Sequence, residues 1–249
     1  MSVQTQRWVV GRYVPDAPQV RLLAFAQAGG GAGSFAGWRG HLPPHVELAP
    51  VELPGRGTRQ SEPLPGDLGE LVADLADGLR DELAGEYVLF GHSFGALLAY
   101  ELAGALIEAG RRPPRALLVS GARAPQAGTT ELLHRLGDDE LLAHLRQING
   151  IPEILLRHPA YVRTVVAAVR ADLRMAELYR RAEPFRLPCP VHAFGSRDDP
   201  VAGPEALERW ERCAGTDFSL TLYPGDHFYL YEDPAPVLRD LAGAIEILQ

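Results

Sequence analysis

Gly91-His92-Ser93-Phe94-Gly95 is the stretch that most narrows what this chain can become. Ahead of it, Tyr87-Val88-Leu89-Phe90 is a short apolar run of the kind that forms a buried strand. Behind it, Ala96 to Ala103 is an apolar helical run. A strand turning sharply into a helix, with serine at the apex, is the layout of a nucleophile elbow. Glycine on both sides of the serine has a physical reason: helix and strand pack too closely there to admit Cβ atoms.

The strand-like runs on either side extend this picture. Val20–Phe25, Val46–Val51, Ala116–Ser120, Pro190–Phe194 and Phe218–Leu222 alternate with helical stretches near Phe35–His41, Asp67–Leu83, Pro204–Cys213 and Pro236–Leu248. Asp67 and Glu70 fit a capping box, and Leu68, Leu71, Val72, Leu75 and Leu79 keep one helical face apolar. Pro50 marks its run as an edge strand or a strand end. Such alternation predicts a mostly parallel, doubly wound α/β sheet covered on both faces. Residues 129–182 carry no strand signal. They are expected to form a helical lid, with helices near Glu131–Leu136, Asp138–Gln147, Pro152–Arg157 and Pro159–Arg181, inserted into a single domain spanning 1–249. Residues 1–18 are expected to be an irregular lead-in.

Bulk properties remove several classes of function. The net charge of −8 argues against nucleic-acid binding. All 24 basic residues are arginine, which excludes lysine chemistry. The two cysteines, Cys189 and Cys213, show no metal-ligand spacing and fit a reducing compartment, so the expected location is the cytoplasm. No apolar run approaches the ~20 residues that span a bilayer. No cofactor and no metal are implied, and a monomer is expected.

Serine attacks poorly without a base to take its proton and donors to hold the resulting oxyanion. The order Ser, acid, His expected after an elbow is available as Ser93, Asp198 and His227. Both later residues sit in loops beyond strand-like runs, and such loops gather at one edge of a doubly wound sheet. Asp198 is preferred as the acid, although Asp199 and Asp226 are open to the same role. His92 is expected to point away from Ser93, and His192 to belong to the sheet. Phe94 N–H and Ala28 N–H are the expected oxyanion donors, with Gln27 second to Ala28. Gly29–Gly33 does not form a dinucleotide-binding loop, because the full G-x-G-x-x-G and its acidic partner are missing.

Taken together these residues resemble a known family, the type II (external) thioesterases of polyketide and nonribosomal peptide synthases. The resemblance is carried by Phe25-Ala26-Gln27-Ala28-Gly29-Gly30, Leu53-Pro54-Gly55-Arg56-Gly57-Thr58-Arg59, Gly91 to Ala96, Gly195 to Val201 and Gly225 to Phe228. It runs over almost the whole chain, with Asp138-Asp139-Glu140-Leu141 matching the opening of the family's lid. Ala26 stands where the family more often has proline, which leaves the neighbouring backbone donor in place. The resemblance implies an α/β-hydrolase fold and places the acid on Asp198. It also implies hydrolysis of acyl groups from the phosphopantetheine of acyl or peptidyl carrier proteins, clearing stalled or wrong chains in antibiotic-type biosynthesis. An esterase or acyltransferase would use the same triad. Leu155, Tyr161, Val165, Val169, Met175 and Tyr179 are expected to shape the acyl chamber. Arg56, Arg59, Arg180, Arg181 and Arg186 are candidates for docking an acidic carrier.

Overall fold

The computed structural model describes residues 8–151 and 156–246. Six strands form one sheet in the order β2-β1-β3-β4-β5-β6. They are β1 (Val20–Phe25), β2 (Val46–Pro50), β3 (Tyr87–His92), β4 (Leu117–Ser120), β5 (Val191–Ser196) and β6 (Phe218–Tyr223), and every adjacent pair is parallel. The helices are α1 (Leu68–Gly78), α2 (Phe94–Glu108), α3 (Asp138–Gln147), α4 (Pro159–Leu178), α5 (Pro204–Glu208), α6 (Tyr229–Glu232) and α7 (Pro234–Glu246). Among the described residues, no helix is long and apolar enough to cross a membrane.

Alternation along each strand divides the core in two. Leu23, Phe25, Leu89, Leu117, Val119 and Val191 pack with α1 and α2 on one face. Leu22, Ala24, Val88, Phe90 and Leu118 pack with Phe35, Trp38 and α7 on the other. Burial on both faces is why the strand segments read as near-continuous apolar runs. Asp67 caps α1 by accepting the Glu70 N–H at 3.0 Å.

The lead-in is more ordered than its composition suggests. Trp8 and Val9 are buried, and antiparallel bridges join Val9 to Val51 and Tyr13 to Leu48. These bridges cover the outer side of β2, where an unpaired strand edge would otherwise face solvent. Pro50 does lie at the end of this edge strand.

The chain leaves β1 toward β2 on one side, then returns to build β3 on the other side of β1. The carboxyl ends of β1 and β3 therefore flank the point where strand order reverses, the usual place for a ligand in such sheets. Two glycines permit close packing there. A Cβ on Gly91 would lie 2.1 Å from the Gly95 carbonyl oxygen, and one on Gly95 would lie 2.2 Å from that of Phe25.

Between β4 and β5 the chain inserts a short 3-10 turn (Leu133–Arg135), α3 and α4. Leu141, Leu145, Ile151, Val166 and Val169 form a small core of their own, against which Ala28 packs. The expected helix at Pro152–Arg157 falls mostly outside the described residues.

Candidate active site

Ser93 stands at the junction of β3 and α2 with φ 54° and ψ −118°. That left-handed backbone is costly for a residue with a Cβ and persists only where the surroundings hold it. Part of that hold is its own N–H, which donates to the Ser120 carbonyl at 2.8 Å. Ser93 lines a cavity of about 170 Å³ with Ala28, Phe94, Leu97, Gly121 and residues of the insertion. As the first residue of α2, Phe94 has an N–H with no carbonyl a turn earlier in the helix to accept it. On the β1 side, Gly29 N–H donates to Asp172 and Gly30 N–H donates to the Gln27 carbonyl. Ala28 lies between these engaged residues and lines the Ser93 cavity.

His227 is buried, and its Nδ1 lies 2.9 Å from Asp199 Oδ2. The other oxygen, Asp199 Oδ1, accepts the N–H groups of Val201 at 2.7 Å and Ala202 at 3.1 Å. Burial by itself would raise the Asp199 carboxyl above the usual range. The His227 hydrogen bond and charge, with the two amides, outweigh burial and lower it.

The expectation for the acid is therefore corrected from Asp198 to its neighbour. Asp198 is exposed, whereas Asp199 is 6% exposed and its side chain meets His227. Pro200 biases Asp199 toward extended backbone, and successive side chains on extended backbone face opposite ways. A one-residue error in spacing thus exchanges the buried partner for a solvent-facing one. Asp226, the other open alternative, is turned elsewhere, to Asn149 Nδ2 and the Phe228 N–H.

Among the described residues, no hydrogen bond joins the Ser93 hydroxyl to His227. The two approach the same wall: a Cβ on Gly121, which lines the serine cavity, would lie 3.3 Å from His227 Cε1.

His92 is closer to the site than its position before the serine suggests. It is fully buried, with Nδ1 2.9 Å from Ser120 Oγ and its ring centroid 4.9 Å from that of His227. Ser120 Oγ in turn lies 2.6 Å from the Tyr229 hydroxyl. Burial, reinforced by His227, pushes His92 well below the usual imidazole range, so it packs as a neutral ring. Unfolding returns it to an ordinary histidine, which takes up a proton below pH ~6.5. Its contribution to stability is complete above that value and declines as pH falls. Urea unfolding at pH 5.0 to 7.5 should show this slope, and His92→Asn should flatten it; equal slopes in both proteins would refute the assignment.

The expected chamber residues divide. Tyr179 lines the Ser93 cavity, and its hydroxyl hydrogen-bonds Glu101 and Arg181. Tyr161, Val165 and Val169 line a second cavity of about 630 Å³, together with Gln27 and Ala28. Gln27 accepts a hydrogen bond from the Tyr231 hydroxyl at 2.7 Å. Met175 belongs to the main core and lines neither of these two cavities. Leu155 lies outside the described residues. The insertion residues that reach the serine cavity, besides Tyr179, include Leu133, Leu173, Ala176 and Glu177. Their spacing along α4 at 173, 176 and 177 is a helical face that periodicity could have identified.

The arginines also divide. Arg56 and Arg59 are buried and paired, with Asp172 and Glu62 respectively, which removes them as docking candidates. Arg186 donates to the Ala214 carbonyl. Arg180 and Arg181 line a groove of about 530 Å³ with Arg123, and this groove shares Arg123, Pro125, Gly128 and Thr129 with the serine cavity. Cys189 and Cys213 are buried free thiols whose ionisation burial pushes up to about 12, which makes them poor nucleophiles.

The family model described as "Thioesterase domain" matches residues 20–245. The chain is 34% identical to the gramicidin S biosynthesis protein GrsT of Aneurinibacillus migulanus, over 98% of this chain and 96% of that protein. Among solved structures, the RedJ thioesterase from the prodiginine biosynthetic pathway in Streptomyces coelicolor superimposes with a TM-score of 0.88 at 38% identity, covering 93% of each chain. BorB, a type II thioesterase from the borrelidin biosynthetic cluster, superimposes with a TM-score of 0.86 at 36% identity, covering 98% of each.

Proposed function

We propose, since the chain belongs to the thioesterase domain family and is a hydrolase, that it removes acyl groups from the phosphopantetheine thiol of acyl or peptidyl carrier proteins. The observation that carries this reading is the buried His227–Asp199 pair, with His227 beside Gly121, which lines the cavity that holds Ser93. Asp199 holds the Nδ1–H of His227, which leaves Nε2 to act as the base. His227 takes the Ser93 proton as the hydroxyl oxygen attacks the thioester carbonyl. Catalytic hydrogen bonds of this kind often tighten only once substrate is bound. The Ala28 and Phe94 N–H groups receive the oxyanion. The sulfur leaves with the proton carried by His227, giving an acyl-serine. His227 then deprotonates water, which releases the acid and restores Ser93.

The relatives support the setting. GrsT is named for gramicidin S biosynthesis and RedJ for the prodiginine pathway, which favours a role in clearing stalled or aberrant chains from a polyketide or nonribosomal peptide synthase. Residues 129–182 would serve as the lid of a single catalytic domain, and the buried thiols suit a reducing cytoplasm. The Arg123–Arg180–Arg181 groove offers positive charge to an acidic carrier where it meets the serine cavity.

The test compares an acylated carrier protein with a simple ester of the same acyl chain. A clear preference in kcat/KM for the carrier is expected, and Arg180→Glu should raise KM for the carrier more than for an acyl-pantetheine fragment. Equal kcat/KM on carrier and ester would favour a general esterase instead.

A further inference from the structure

Beside the larger cavity, which Gly29, Gly30, Arg56 and Val169 line, three distant segments meet at one buried carboxylate. Asp172, in the middle of α4, is 0% exposed. Its Oδ2 accepts the Gly29 N–H at 2.8 Å. Arg56 grips both oxygens, Nη1 to Oδ2 at 2.5 Å and Nη2 to Oδ1 at 2.9 Å. The same guanidinium reaches the Gly30 carbonyl at 3.3 Å. Three residues earlier on α4, Val169 presses on the same loop, where a Cβ on Gly29 would stand 2.3 Å from Val169 Cγ2.

The loop itself is a turn. Gly30 N–H closes it onto the Gln27 carbonyl at 2.9 Å, and Gly29 has the φ of +71° that the third residue of a type II turn requires. The trans, planar Gln27–Ala28 peptide sends the Ala28 N–H opposite to that carbonyl. The next peptide, Ala28–Gly29, is the centre of the turn. Its N–H is the group Asp172 holds.

We infer that Asp172 is a positioning residue, which reaches from the insertion to hold in place the turn presenting the Ala28 N–H, directly through the Gly29 N–H and by way of Arg56 through the Gly30 carbonyl. The oxyanion donor is then set only while α4 is seated against this turn. This rests on the proposed function above, in which Ala28 N–H receives the oxyanion.

The test uses the full chain. In Arg56→Met/Asp172→Leu the ion pair gives way to apolar side chains, an exchange that buried pairs often tolerate, but the acceptor for Gly29 is lost. Expected is a fall in kcat of about 10²-fold, the scale of losing one oxyanion donor, with KM nearly constant. The inhibition constant for a trifluoromethyl ketone of the same acyl chain, which adds to Ser93 as an oxyanion, should rise in parallel. Affinity for the non-electrophilic thioether analogue should not change. If this pair of changes fails to melt cooperatively, Asp172→Asn decides, since its amide cannot satisfy Gly29 and Arg56 as the carboxylate does. The same kcat and ketone signature is then expected at about 10-fold. A folded variant with wild-type kcat, or with a loss confined to KM, overturns the inference alone. A wild-type protein that neither hydrolyses thioesters nor binds the ketone overturns the function it rests on.

Discussion

Replacing Ser93 with alanine is expected to lower kcat on an acyl thioester by about 10⁶-fold, the scale seen when a serine hydrolase loses its nucleophile. The change deletes one oxygen and leaves the strained φ of 54° in place, so the fold should survive. The Ser93 N–H still has the Ser120 carbonyl at 2.8 Å, and Gly91 and Gly95 still admit the close strand–helix approach. Thiol release measured with a chromogenic disulfide reads the rate, and intact-mass analysis after fluorophosphonate treatment reads the covalent adduct. Wild-type protein should gain one adduct and the variant none. His227→Ala should cost a similar factor and add little on top of Ser93→Ala, because the two act as a unit. Turnover by Ser93→Ala within a hundredfold of wild type would end the mechanism.

A second large effect separates two adjacent carboxylates. Asp199→Asn should lower kcat by about 10⁴-fold, while Asp198→Asn should leave it near wild type. The asparagine amide would donate toward His227 Nδ1, moving the ring proton to Nε2 and removing the lone pair that takes the Ser93 proton. Among the described residues Asp198 has no such partner, and it faces solvent. The sign of the pH effect follows from the lowered Asp199 carboxyl. Its stabilisation is fully present above the ordinary aspartate range and is lost as pH falls through the lowered folded value. The reverse kinetic ranking of the two variants would return the role to Asp198.

Much of this was legible in the residues because local physics is written locally. The six strand segments, the edge position of Pro50, the Asp67 cap and the Asp138–Gln147 helix each depend on periodicity or on one side chain meeting nearby backbone. The elbow was legible for the same reason, since its glycines answer to clashes with Gly95 itself and with the end of β1. Asp172 left a signal as well, being a carboxylate within an apolar stripe of a predicted helix, which asks for a buried partner. Nothing local, however, says that the partner is Arg56, distant in sequence and matched to a surface role by its charge alone.

What the sequence determined on its own is the alternation of strands and helices, the serine at the apex of its turn, and the loops after β5 and β6 that carry the paired aspartates and His227. Tertiary structure alone decided which of two neighbouring aspartates turns inward, that His92 packs against His227, and that Arg56 is buried while Arg180 is not. The division has one cause. Hydrophobic periodicity and glycine sterics act over a few residues, whereas the burial of a charge is set by whatever distant group arrives to meet it.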